Sequence, residues 1–152
     1  MEKCAYTFDY TRYGSPDQMA EADRELVAEA LRATRRSYAP YSNFHVGAAA
    51  RLRSGRILTG SNIESEVFPA GLCAERTLLF YLAANHAGDP VESLAIAAVP
   101  SERECTPCGP CRQALVDAER RQKSPIRVIM SGPCSVTVVE RAELLLPFTF
   151  SL

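Results

Sequence analysis

Three cysteines recur at every third position in Cys105-Thr106-Pro107-Cys108-Gly109-Pro110-Cys111, and another lies upstream in Cys73-Ala74-Glu75-Arg76. Thiols so spaced suit a metal in two ways. An iron–sulfur cluster would need a fourth thiolate, from Cys73 or Cys134. Zinc would need one Cys-x-x-Cys pair and one or two ligands from elsewhere. Inert buried thiols are the bland alternative. Both cysteine segments fall where helices are expected to begin, and there the positive dipole end and the unpaired N–H groups favour thiolate over thiol. Three thiolates on Zn²⁺ leave one net negative charge, and Arg76 and Arg112 stand close enough in sequence to donate hydrogen bonds to the sulfurs. Three protein ligands also leave a fourth position open for water, the mark of a catalytic site. Glu75 would lie near that water without binding the metal, although a first-turn Glu by itself usually only stabilises the helix dipole.

The elements that must position these residues follow from periodicity. Ser15-Pro16-Asp17 offers cap chemistry for a helix over about 18–37, in which Leu26, Val27, Ala30 and Leu31 recur at helical spacing. Pro40 ends it. Runs over 44–53 and 56–63 flank Ser54-Gly55 and predict a hairpin. A helix is expected over 73–85, a strand over 92–99, a helix over 111–122, and strands over 126–130 and 136–139. The link between the last two strands is too short for a parallel crossover, so they should be antiparallel. A helical turn is expected over 141–145. The pattern predicts an α/β fold, a three-layer α-β-α domain with a mixed five-stranded sheet. Residues 1–15 read as an arm and 16–152 as one domain.

Composition narrows the function. Of 152 residues, 17 are Lys or Arg and 18 are Asp or Glu, a net charge of -1 without the basic excess that nucleic-acid coating requires. The longest apolar runs, Leu78 to Ala84 and Leu94 to Val99, fall well short of the ~20 residues of a spanning helix. Residues 1–13 do not read as a secretion signal, so a reducing cytoplasm is expected, where six cysteines suit metal or free thiols better than disulfides.

Taken together the motifs resemble the cytidine deaminase family, in particular its small homotetrameric, three-cysteine branch. Cys73-Ala74-Glu75-Arg76 and Pro107-Cys108-Gly109-Pro110-Cys111-Arg112-Gln113 match the two halves of the signature already established for zinc deaminases, with Cys in place of His. The run from Tyr38 to Ala49, Asn62-Ile63-Glu64, and Leu145-Leu146-Pro147 with Phe150 agree as well. The likeness spans roughly residues 20–152.

The resemblance implies that Cys73, Cys108 and Cys111 bind one Zn²⁺ and that Cys105 does not. It implies that Glu75 moves protons from water to the pyrimidine N3 and on to the departing amine, giving uridine or deoxyuridine and ammonia. Zinc lowers the pKa of bound water to about 7. The Ala74 N–H would help hold the base, Phe44 and Val46 would wall the pyrimidine, and Asn62 with Glu64 would bind the ribose 3′-hydroxyl. Phe150 would reach a neighbouring subunit's site in a homotetramer. The chain departs from the family at Ser65, Glu66 and Phe68, near the sugar. That departure raises a second substrate class, a modified aminopyrimidine nucleoside of the blasticidin type. A non-catalytic zinc or iron–sulfur protein is a further alternative.

Overall fold

A computed structural model describes residues 1–150. Alternating side chains build the centre of the fold. β2 (His45–Leu52) and β3 (Ile57–Ser61) form the expected hairpin, closed by the Leu52 N–H on the Arg56 carbonyl at 2.9 Å. Its turn places Gly55 at φ 85, a left-handed conformation that glycine enters without a Cβ penalty. β4 (Val91–Val99) pairs with the other side of β2, and β5 (Arg127–Ser131) and β6 (Val136–Val139) complete the mixed sheet. Only β4 and β5 are parallel; β5 and β6 are antiparallel, as their short link requires.

The sheet has six strands, not five. Thr11–Tyr13, expected within the arm, form β1 at the edge and pair with Val136–Val138 of β6, giving the order β1-β6-β5-β4-β2-β3. Arg12 secures this strand by donating to Glu104 at 3.2 Å and to Ser135 at 3.3 Å. Such exposed ion pairs contribute about 1 kcal/mol or less, so the backbone ladder carries most of the pairing.

The two sheet faces are separately covered. Ala48, Ala50 and Leu52 of β2, with Leu94, Ile96 and Ala98 of β4, face α2 (Ala74–Asn85) and α3 (Gly109–Gln122). Ala49, Ala95, Ala97 and Ile129 face α1 (Glu21–Ala33), which contributes Leu26 and Ala30. This is the expected three-layer arrangement. α1 is shorter than periodicity suggested, because Pro16–Gln18 form a separate 3₁₀ turn and Thr34–Arg36 another. α3 starts earlier than expected, at Gly109, which makes Cys108 its cap.

Strand direction brings the helix starts together. β3 and β4 are each antiparallel to β2, so they run the same way. The helices that follow them, α2 and α3, therefore begin at one end of the sheet, where α/β folds place their ligands. Close packing fixes the α2 start: a Cβ on Gly60 would lie 2.8 Å from the Ala74 carbonyl oxygen and 2.9 Å from Leu78 Cβ. Gly60→Ala should therefore cost about 1–3 kcal/mol in denaturant unfolding and lower the metal retained per chain. Gly88→Ala, where a Cβ meets nothing within 4 Å, is the control and should leave both unchanged.

Candidate metal centre and active site

Cys73 and Cys108 are the caps of α2 and α3, with extended backbone at ψ 155 and ψ 170, and neither side chain caps its own helix. Cys111 lies in the first turn of α3 and is fully buried. The three sulfurs lie within 4.8 Å of one another, and Cys73 Sγ is 3.7 Å from Cys108 Sγ. Two helix amino termini thus point their positive ends at one cluster of thiols.

Arg76, in the first turn of α2, donates from Nη2 to Cys73 Sγ at 3.8 Å. Its Nε is buried without a hydrogen-bond partner, an unspent donor beside the sulfurs. Arg112 is oriented differently from Arg76. It donates to the carbonyls of Pro107, at 2.9 Å, and Leu145, at 3.1 Å, tying the ligand loop to the carboxy-terminal segment rather than touching a sulfur. The Cys73 thiol is lowered to about 5, first by the Cys111 thiol donating towards it and then by Arg76 and Cys108. That same shared proton pushes Cys111 strongly upward. Three convergent thiols, one readily ionised, with a guanidinium to balance them, fit a zinc ion with an open fourth position.

Cys105 stands apart from this triad. It packs against the core, and burial, followed by the charges of Glu75 and Cys73, pushes its thiol up to about 12. Cys134 is exposed, as is Cys4. Among the described residues the only metal-competent group of His, Cys, Asp and Glu is therefore the triad, which lacks the fourth thiolate of an iron–sulfur cluster.

Glu75 is 4% exposed, unlike an ordinary first-turn glutamate. Burial raises its carboxyl above the usual range, and the Cys73 charge adds to the rise. Ala74, which opens α2, is fully buried beside it.

Asn62 and Glu64 border a cleft of about 330 Å³ together with Cys73, Arg76, Tyr41 and Phe68. Asn62 Oδ1 accepts from Ser37 Oγ at 2.6 Å and the Val46 N–H at 2.7 Å, while Nδ2 donates to the Phe44 carbonyl at 2.9 Å. Glu64 Oε2 accepts from the N–H groups of Tyr41, at 2.8 Å, and Ser42, at 3.3 Å. The Ser42 hydroxyl donates to Oε1. Phe44, partly exposed, borders a second hollow of about 530 Å³ with Cys105 and Thr106, on the ligand-loop side. Val46 is buried in the core beneath α2 and α3. Phe150 is 68% exposed, and its carbonyl accepts from Gln113 and Arg120 of α3, at 3.3 and 3.4 Å. Ser37 and Ser42 were not singled out from sequence. The available signal was local: Ser42 accepts the Phe44 N–H at 3.1 Å, a turn that serine commonly makes with the residue two places on.

The chain is similar to known proteins in sequence and in fold. The cytidine and deoxycytidylate deaminase zinc-binding region matches residues 20–124. A cytidine deaminase of Sporosarcina psychrophila is 35% identical over 84% of this chain and 90% of its own length. One from Halalkalibacterium halodurans is 41% identical over 62% of this chain and 71% of its own. The crystal structure of cytidine deaminase from Burkholderia pseudomallei superposes with a TM-score of 0.74 at 33% identity, covering 87% of this chain and 100% of that one. The family region spans both cysteine segments and more than half of the chain, and the chain belongs to the cytidine and deoxycytidylate deaminase family.

Proposed function

We propose that this chain catalyses the hydrolytic deamination of cytidine and deoxycytidine to uridine and deoxyuridine, with release of ammonia. The observation that carries this reading is a buried glutamate next to a thiol triad at two helix starts. Cys73, Cys108 and Cys111 would hold zinc, which supplies Lewis acidity and water ionised near neutral pH. Burial keeps the Glu75 carboxyl readier to hold a proton than an exposed one, which suits a group that must act first as base and then as acid. Glu75 would carry one proton to the pyrimidine N3 and another to the exocyclic amine as it leaves. The Ala74 N–H would support the base, and the ring of Phe44, with Val46, would pack against it. Asn62 and Glu64 would take the 3′-hydroxyl of the sugar.

The active assembly in this reading is a homotetramer in the cytoplasm, with residues 16–152 as one catalytic domain whose sheet is extended at its edge by β1 of the arm. Two features support it. Phe150 is exposed on a tail anchored by its own α3, so its ring is available to a second copy. Phe80 and Tyr81 on α2 and Phe148 are exposed as well, large apolar side chains open to subunit contact. No helix among the described residues is long and apolar enough to cross a membrane.

Glu75→Gln should lower turnover of cytidine by at least about 10²-fold while zinc stays near one per chain, read by ultraviolet time course and metal analysis. Retained turnover would remove Glu75 from the chemistry. Stripping the metal with a strong chelator should abolish activity and expose the triad to thiol reagents, and added zinc should restore both to their starting values. Light scattering on the eluting protein should give four chains per particle. Phe150→Ala should slow turnover while that mass is kept. Inactivity of the zinc-loaded protein on cytidine, with activity on a modified aminopyrimidine nucleoside, would move the substrate assignment to the latter class.

A further inference from the structure

The metal chemistry makes no use of the two serines that bracket Asn62 and Glu64. Their hydroxyls decide which way those two side chains can bind anything else. Ser37 and the Val46 N–H both donate to Asn62 Oδ1, which fixes the amide with its nitrogen towards Phe44. One N–H of Nδ2 is spent on the Phe44 carbonyl, and an amide nitrogen carries two. Glu64 is constrained in the same manner. Oε2 receives two backbone N–H groups, and Oε1 receives only the Ser42 hydroxyl. A carboxylate oxygen can accept two hydrogen bonds, so Oε1 keeps one site free. The pair therefore retains one donor on Asn62 and one acceptor on Glu64, the complement of a single hydroxyl that accepts from one and donates to the other.

We propose that Ser42 is a positioning residue for sugar recognition: its hydroxyl sets the rotation of the Glu64 carboxylate, so that the free Oε1 site and the free Asn62 N–H meet at one sugar hydroxyl. This rests on the reading above that Asn62 and Glu64 take the 3′-hydroxyl. Three observations support it. Ser42 is doubly engaged, donating to Glu64 and accepting the Phe44 N–H at 3.1 Å, so its own rotamer is held. It is also placed by its backbone, since its N–H donates to the same carboxylate at 3.3 Å. The Ser42 hydroxyl and then the Tyr41 N–H hold the Glu64 carboxyl below the usual range, keeping it an ionised acceptor. Without the hydroxyl, Oε1 has no internal donor and the carboxylate can turn about the two bonds on Oε2.

The test uses the zinc-loaded full chain and two substrates, cytidine and 3′-deoxycytidine. The unmodified protein should prefer cytidine. A wild-type protein that processes both equally would overturn the assignment of Asn62 and Glu64 to the sugar, and the role of Ser42 with it. Ser42→Ala should lower kcat/KM for cytidine roughly tenfold more than for 3′-deoxycytidine, mostly through KM, with zinc content and melting temperature unchanged. Ser42→Thr, which keeps a hydroxyl, should recover most of the preference. Equal losses on the two substrates would overturn the proposal alone, because Ser42 would then act only through the loop that carries Phe44. An undiminished preference for cytidine in Ser42→Ala would overturn it too.

Discussion

Three thiol sulfurs held within 4.8 Å of one another repel as they ionise, and the rest of the structure answers to that constraint. Ionisation at neutral pH requires fixed positive potential, because a thiol in apolar surroundings keeps its proton. Cys105 shows the contrast within the same chain: packed against the core, it is pushed up to about 12 by burial, whereas Cys73, which accepts from Cys111 and Arg76, is lowered to about 5. Two residues of one type differ because one accepts first from the Cys111 thiol and then from a guanidinium, while burial keeps the proton on the other.

The topology supplies that potential twice at one place. Antiparallel pairing of β2 with both β3 and β4 makes the outer two strands run together, and the helices leaving them start side by side. One helix start would offer one favourable site. Two starts, with Cys108 and Cys111 on the second, gather a complete ligand set from segments 35 positions apart. The ligand loop is braced from behind: the Cys105 N–H donates to the Ser131 carbonyl at 2.9 Å, and Glu104 accepts from Ser135 at 2.6 Å and Thr137 at 2.7 Å. Arg112 links the same loop to the Leu145 carbonyl. The metal-facing segment is thus tied to the sheet and to the carboxy-terminal turn, not left as a free loop.

Much of this was readable from residue order. Apolar spacing located the three helices and the strands β2 to β6, and the cysteine segments lie at helix starts as expected. What was missed depended on partners far away in the chain. β1 is three residues, Thr-Arg-Tyr, with no alternating apolar signal; it is a strand because β6 offers an edge and Glu104 offers Arg12 a carboxylate 92 positions away. The burial of Glu75 was equally invisible, since a charged residue in a first helical turn ordinarily faces water. The hydrogen bonds of Ser42 and Ser37 belong to the same class. Nothing in Tyr-Ser-Asn-Phe states that a glutamate 22 positions on will sit against that hydroxyl.

The β2–β3 hairpin is pressed from both sides at adjoining positions. On one face a Cβ at Gly47 would lie 2.0 Å from the Ala30 carbonyl oxygen, and on the other Gly60 leaves no room beneath α2. Gly60 pairs with Ala48, the residue next to Gly47, so the two contacts fall within one step of the ladder. At these two positions the layer admits no side chain without moving a helix. For the diversification of such enzymes, the hairpin is a floor of nearly fixed thickness, closed to drift in size. Room for exchange lies instead in the segments that rise from its rim, around 37–44 and 62–72, where side chains such as Phe68 stand in solvent and cost little to replace.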